Sequence, residues 1–368
     1  MTQKVRAAVS VEGFQVEVRE FEVPEITPGA GLLKVEVSGV CGSDWPNFQK
    51  FPKTRGPLIQ GHETVGFIEA IGGDAALRWG LREGDRVALE EYLPCGYCNY
   101  CRTSQFRLCD ATDTVIGSGI RYGSTPVSIA PSLWGGYAEK EYLHPNSVFH
   151  KVPASMPATL ASLALPLGNG FQWTCFDGAA AVGEAVVVQG PGQQGLACVV
   201  AAREAGAGCI IVTGLEADKD RLMLAKALGA HHAIDVGQTD PLEAVADITG
   251  GMMADLVLDC SSGGAATTAL ALRMVHKTGR VMVCGAKGKP IPEFDIDLVF
   301  RKNLTIKGLR GHSYQAVELA LAVLGSGRYP LDRLCTHVFG LDDVGEALLT
   351  VGAVDGRRGI HCCVDPWK

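Results

Sequence analysis

Residues 185 to 205 constrain the fold more than any other stretch of this sequence. An apolar run, Ala185-Val186-Val187-Val188-Gln189, leads into Gly190-Pro191-Gly192-Gln193-Gln194-Gly195 and then into an Ala-rich segment read as a helix from Gln194 to Ala205. A strand that must turn at once into a helix needs glycines at the fold-back, and the free amides at the helix start suit a pyrophosphate. The string G-x-G-x-x-G is weak evidence alone, but between a strand and a helix it is specific. The same texture continues through Cys209 to Thr213, Lys219 to Leu228, Leu256 to Cys260 and Arg280 to Cys284. Strands alternating with helices predict a parallel, doubly wound sheet.

The first 150 residues read differently. Short alternating stretches such as Leu32-Leu33-Lys34-Val35-Glu36-Val37, broken by Gly and Pro, predict an irregular β-rich domain. A chain of 368 residues is comfortable for two domains. The stretch from Gly311 to Lys368 is expected to return to the first, giving a discontinuous domain of residues 1-165 and 311-368 around a second of 166-310. Between Ala111 and Trp134 a Gly- and Pro-containing segment predicts a long loop, of a length that often shapes a binding site.

A formal charge of -7 argues against binding nucleic acid or an anionic membrane surface, both of which need basic patches. The expected partner is a small molecule. No apolar run approaches a membrane span and the N-terminus lacks an apolar signal core, so a cytoplasmic location is expected.

Of thirteen cysteines, four are grouped: Cys95, Cys98, Cys101 and Cys109, in a C-x2-C-x2-C-x7-C run with Pro94 and Gly96. The odd total and the tight grouping favour thiolate metal binding over disulfides. Tetrahedral zinc takes four thiolates, and two-residue spacing curls successive cysteines around one ion, so a closed structural zinc site is predicted. An iron-sulfur cluster uses the same ligands, but nothing else here suggests electron transfer.

Upstream lie Gly39-Val40-Cys41-Gly42-Ser43-Asp44 and Gly61-His62-Glu63-Thr64-Val65-Gly66. A thiolate, an imidazole and a carboxylate are the mix that zinc uses when one position must stay open for water or substrate. The order G-V-C-G-S-D, G-H-E-x2-G, cysteine lobe and G-x-G-x2-G resembles that of the zinc-containing medium-chain alcohol and polyol dehydrogenases, nearest the sorbitol and threonine dehydrogenase branch. The resemblance spans nearly the whole chain. It implies a GroES-like catalytic domain joined to a Rossmann domain, a catalytic zinc held by Cys41, His62 and Glu63, and a homodimer or homotetramer. It also implies that Ser43 takes the hydrogen bond from the substrate oxygen and that Asp44 orients His62. Gly190, Gly192, Gln193, Gln194, Gly195 and Gly214 would bind a nicotinamide dinucleotide.

Two positions depart from the family pattern. Where relatives carry a relay His three residues after the Ser, this chain has Pro46; where they carry a metal-binding residue before Pro166-Leu167-Gly168-Asn169, it has Leu165. Water is therefore expected to complete the shell of Cys41, His62 and Glu63, and the proton must leave by Glu63, bound water or cofactor hydroxyls.

The strand ending at Thr213 gives way to Gly214 where an acid would grip the ribose of NAD. Lys219 and Arg221 would suit the phosphate of NADP, but Glu216, Asp218 and Asp220 make the loop acidic, so NAD is expected. The reaction expected is oxidation of a secondary alcohol or polyol, or its reverse, by zinc-dependent hydride transfer. Two alternatives share the architecture: a zinc-free quinone or enoyl reductase, and a non-catalytic dehydrogenase-like binding protein. The ligand set counts against the first, and the intact Ser43, Asp44 and Glu63 against the second.

Overall fold

The computed structural model describes residues 3–49, 56–114, 117, 119–262, 264–288, 290–291 and 294–368. Eight strands come first: β1 (Lys4–Val11), β2 (Gln15–Glu22), β3 (Gly31–Val40), β4 (Leu58–Ile59), β5 (Glu63–Ile71), β6 (Arg86–Leu89), β7 (Lys140–Leu143) and β8 (Phe149–Lys151). Six follow: β9 (Ala185–Gln189), β10 (Cys209–Gly214), β11 (His232–Asp235), β12 (Ala254–Asp259), β13 (Val275–Val283) and β14 (Thr305–Gly308). The chain ends with β15 (Cys335–Phe339) and β16 (His361–Val364).

Two compact units result, Met1–Leu165 with Leu334–Lys368, and Pro166–Arg333. The first is GroES-like. It holds a small antiparallel sheet, β2-β1-β4, and a larger one, β15-β16-β3-β5-β6-β8, with β7 also paired to β3. β3 is the hub of the larger sheet: Gly39 lies opposite Glu63 of β5 on one side and Cys363 of β16 on the other. Val9, Val40, Ile59, Tyr137, Leu348 and Val364 meet in one buried cluster beneath both sheets.

The second unit is a Rossmann domain. Its six strands, all parallel, run β11-β10-β9-β12-β13-β14, which in chain order is 3-2-1-4-5-6, the dinucleotide-binding order. Val186, Val187 and Val188 of β9 are fully buried, as a strand covered on both faces requires.

The return to the first unit comes at Leu334, later than the expected Gly311. The reason is the helix Tyr314–Ser326, which is bound into the Rossmann unit. A Cβ on Gly168 would meet Val317 Cγ2 at 2.8 Å, so this helix sits directly on the helix Ala164–Phe171. Trp173 Nε1 donates to the Gly311 carbonyl at 3.0 Å, and Ser313 N donates to Gln172 Oε1 at 3.1 Å. No described helix is long and apolar enough to cross a membrane.

Candidate functional site

Among the described residues, two groups of side chains that could hold a metal ion form, both in the first unit. Cys95, Cys98, Cys101 and Cys109 bring their sulfurs within 4.8 Å of one another. The run folds around itself: Cys98 N points at Cys95 Sγ (3.4 Å), Cys101 N at Cys98 Sγ (3.5 Å) and Cys95 N at Cys109 Sγ (3.4 Å). Sulfur separations of 3.5 Å (Cys98–Cys101) and 4.0 Å (Cys95–Cys101) bracket the ~3.8 Å edge of a tetrahedron with zinc–sulfur bonds of about 2.3 Å. The backbone amide of Tyr97 brings the Cys95 thiol down to about 7, while burial pushes Cys101 up to about 12. The donor set fits a closed zinc site.

Cys41, His62 and Glu63 form the second group, their ligand atoms again within 4.8 Å. Sheet register assembles it. β3 ends at Val40, which leaves Cys41 on the turn beyond, and β5 begins at Glu63, which leaves His62 just before it. Asp44 opens the helix Asp44–Gln49 with its carboxylate completely buried. Into that carboxylate point Cys41 N (3.0 Å), Tyr137 Oη (2.8 Å) and Gln60 Nε2 (3.4 Å). His62 Nδ1 lies 3.4 Å from Asp44 Oδ1, which leaves Nε2 as the ring nitrogen for a ligand. Burial opposes charge on His62, yet Asp44 and then Cys41 hold it well above the usual imidazole value; burial and Glu63 push the Cys41 thiol up. These thiol and imidazole protons are the ones a bound cation would displace.

The surroundings complete the picture. Ser43 is exposed on the turn between Cys41 and the helix, Pro46 lies within that helix, and Leu165 is buried and apolar. The long loop closes on His62: a Cβ at Gly123 would meet the Gly61 carbonyl oxygen at 2.9 Å and His62 Cβ at 3.1 Å.

Two further buried groups stand here that belong to no motif in the sequence. His361 on β16 is completely buried, its Nδ1 3.8 Å from Glu63 Oε2 and its Nε2 2.7 Å from Ser162 Oγ. Burial brings it down to about 3, a neutral imidazole at any ordinary pH. Glu141 on β7 is completely buried, and burial pushes its carboxyl up to about 8 although Thr64 and then His62 pull the other way. The only signal for His361 was a histidine inside an otherwise apolar strand.

In the Rossmann unit the predicted turn joins β9 to the helix Gln193–Glu204. Gly190 has φ 91° and so needs a glycine; a Cβ on Gly195 would sit 1.9 Å from the Gly190 carbonyl oxygen. Gly192 instead faces open space at the helix N-terminus, with Gln193 and Gln194 behind it in the first turn. Gly214 ends β10 against Pro191, whose Cγ a Cβ would meet at 3.0 Å. Beside it a cleft is lined by Glu216, Lys219, Leu222, Met223, Lys226 and Asp235. Arg221 is drawn onto Asp218 at 3.2 Å, and Asp218 also accepts from Leu215 N. His312 is buried and bonded to Asn169 Oδ1 at 2.9 Å; in the first unit, Arg357 pairs with Glu346 at 3.0 Å.

A GroES-like unit bearing both donor sets, followed by a Rossmann unit, defines the zinc-type medium-chain dehydrogenases. The family descriptions agree: Alcohol dehydrogenase GroES-like domain matches residues 27–154 and Zinc-binding dehydrogenase matches residues 195–325. The chain is 38% identical to the Probable alcohol dehydrogenase adh of Mycobacterium tuberculosis over 98% of each chain. It is 31% identical to the L-threonine 3-dehydrogenase of Pyrococcus horikoshii, again over 98% of each. The solved alcohol dehydrogenase of Thermus sp. ATN1 superposes with a TM-score of 0.84 at 30% identity, covering 98% of this chain and 99% of that one. The chain belongs to the zinc-type medium-chain alcohol and polyol dehydrogenase family, and is an oxidoreductase of the alcohol dehydrogenase class.

Proposed function

We propose that this chain oxidises a secondary alcohol or polyol to a ketone, or runs the reverse reaction, with one catalytic and one structural zinc and with NAD as hydride acceptor. The observation that carries the reading is the convergence of Cys41, His62 and Glu63, with His62 backed by buried Asp44. Zinc held by such a set supplies Lewis acidity, which lowers the pKa of an alcohol. The nicotinamide supplies the hydride chemistry.

The remaining work falls to the chain. Ser43, exposed beside Cys41, is assigned to accept the hydrogen bond from the substrate hydroxyl. Pro46 has no side-chain donor or acceptor, so the proton leaves through Glu63 or solvent. Asp44 fixes the His62 ring so that one nitrogen stays turned to the ligand set. Gly192 and the amides of the helix Gln193–Glu204 receive the pyrophosphate, and Gly190 and Gly195 let the backbone come close. In the cleft beside Gly214 the carboxylates of Glu216 and Asp235 offset Lys219 and Lys226, and with Asp218 and Asp220 the loop after Gly214 carries more acid than base, which weighs against a 2′-phosphate and favours NAD over NADP.

An activity panel of secondary alcohols and polyols, run with NAD and NADP in parallel on metal-replete protein, tests the reading. Turnover of a secondary alcohol that chelation abolishes supports it. Turnover that survives complete removal of zinc returns the zinc-free reductase, and no turnover of any substrate returns the binding protein.

A further inference from the structure

Lys287 sits on a loop whose residues Gly285, Ala286 and Gly288 are exposed, yet its own side chain turns inward and is only 8% exposed. A lysine on such a loop ordinarily keeps its ammonium in water. Here three acceptors surround the ammonium, one for each of its protons: Asp259 Oδ1 at 2.8 Å, the Ser261 carbonyl at 2.8 Å and the Asp259 carbonyl at 3.4 Å. Asp259 is completely buried at the end of β12. Its carboxylate also accepts from Ser261 Oγ at 2.8 Å and from Thr268 Oγ1, on the helix Ala265–Met274, at 2.6 Å. One lysine thus ties the loop after β13 to the loop after β12. Its neighbours do little to fix that loop, since a Cβ on Gly285 or Gly288 would meet nothing within 4 Å.

The place of this tie gives it a function. In a sheet of order 3-2-1-4-5-6 the turn after the first strand takes the pyrophosphate, and the two halves of a dinucleotide lie outside the carboxyl ends of the strands on either side of it. The adenosine half falls on the β10 side, beside Gly214, which leaves the nicotinamide half to the side of β12 and β13. The loops that Lys287 joins adjoin the turn directly: Cys260 N donates to the Gln189 carbonyl at 3.0 Å, and a Cβ on Gly190 would meet Ser261 Cα at 2.8 Å. We propose that Lys287 is a positioning residue for the nicotinamide half of the cofactor: anchored by buried Asp259, it holds the loops after β12 and β13 as one wall against the Gly190 turn. The role rests on the proposed nicotinamide cofactor. Desolvation offsets much of the attraction in a buried ion pair, so the effect of this one falls on where the loops stand.

The test is calorimetric titration with NADH and with ADP, which carries the adenosine half and the pyrophosphate but no nicotinamide. Lys287→Met should weaken NADH binding about tenfold and leave ADP within about twofold of the parent. The double variant Lys287→Met/Asp259→Asn removes both buried charges. It should regain the melting temperature that the single variant loses, while NADH stays about tenfold weaker than in the parent, because the tether to the Ser261 carbonyl is still missing. Parent-like NADH affinity in the double variant overturns the proposal. Equal losses of NADH and ADP overturn it too, since they report a general loosening of the fold. If Lys287→Met does not fold, the double variant carries the test with the same two outcomes against it. A parent protein that binds neither NADH nor ADP is a different result: it removes the dinucleotide from this unit and overturns the underlying reading together with this one.

Discussion

The carboxylate of Asp44 stands 3.4 Å from Nδ1 of His62 and takes, at the same time, the backbone amide of Cys41 and the hydroxyl of Tyr137. One buried side chain thus fixes two of the three proposed metal ligands, one through its ring and the other through its backbone. Asp44→Asn keeps the shape and loses the charge. It should fold, and bind zinc at this site about 10- to 100-fold more weakly, measured by competition with a chelator. Unchanged affinity would reduce Asp44 to a packing role.

The four-cysteine lobe makes an independent prediction. Its loop, from Cys95 to Cys109, is organised by amide-to-sulfur contacts, and the proposed zinc would supply the rest of its stability. Cys101→Ser should reduce zinc content by about one per chain and lower the melting temperature, while cobalt still binds the Cys41 site. Metal analysis with thermal unfolding decides it.

Glu141 supplies a pH dependence. Its folded carboxyl, pushed up to about 8 by burial, lies above the ordinary 4.5, so the native chain holds a proton that the unfolded chain has released. Stability from this group therefore falls as pH rises between about 4.5 and about 8 and is flat above, a total change of a few kcal/mol at most. Glu141→Gln should remove that slope and be more stable than the parent at pH 8, as read from denaturant unfolding across the range.

Cofactor choice depends on the acidic residues near Gly214. Replacing Glu216 by Lys puts three lysines, counting Lys219 and Lys226, around the cleft. The ratio of kcat/KM for NADP to that for NAD should rise about tenfold, a change of roughly 1.4 kcal/mol in relative binding. No change would place the ribose elsewhere.

Much of this architecture was legible in the sequence because it is local. The glycines at 190, 192 and 195 report on a turn within one strand–helix step, and the two-residue cysteine spacing reports on a loop that closes on itself. What depends on distant pairing was not legible. The helix Tyr314–Ser326 has an apolar face, but nothing in residues 311 to 326 says that Gly168 leaves room for Val317 in the second unit. The place of His361 depends on β16 pairing with β3, which sets Cys363 opposite Gly39 while Glu63 stands on the other side of that glycine. A histidine 298 positions from its carboxylate leaves no local pattern to read. Gly214 and Pro46 were visible as departures, and their consequences stay chemical questions about the cofactor and the proton.

The central claim is that Cys41, His62 and Glu63 hold a zinc ion that the reaction requires. Cys41→Ser tests it most directly, with zinc content and alcohol oxidation measured on the same preparation. The account predicts a loss of about one zinc per chain, with the lobe still loaded, and a fall in kcat/KM of at least about a hundredfold. A Cys41→Ser protein with full zinc content and full dehydrogenase activity would contradict it.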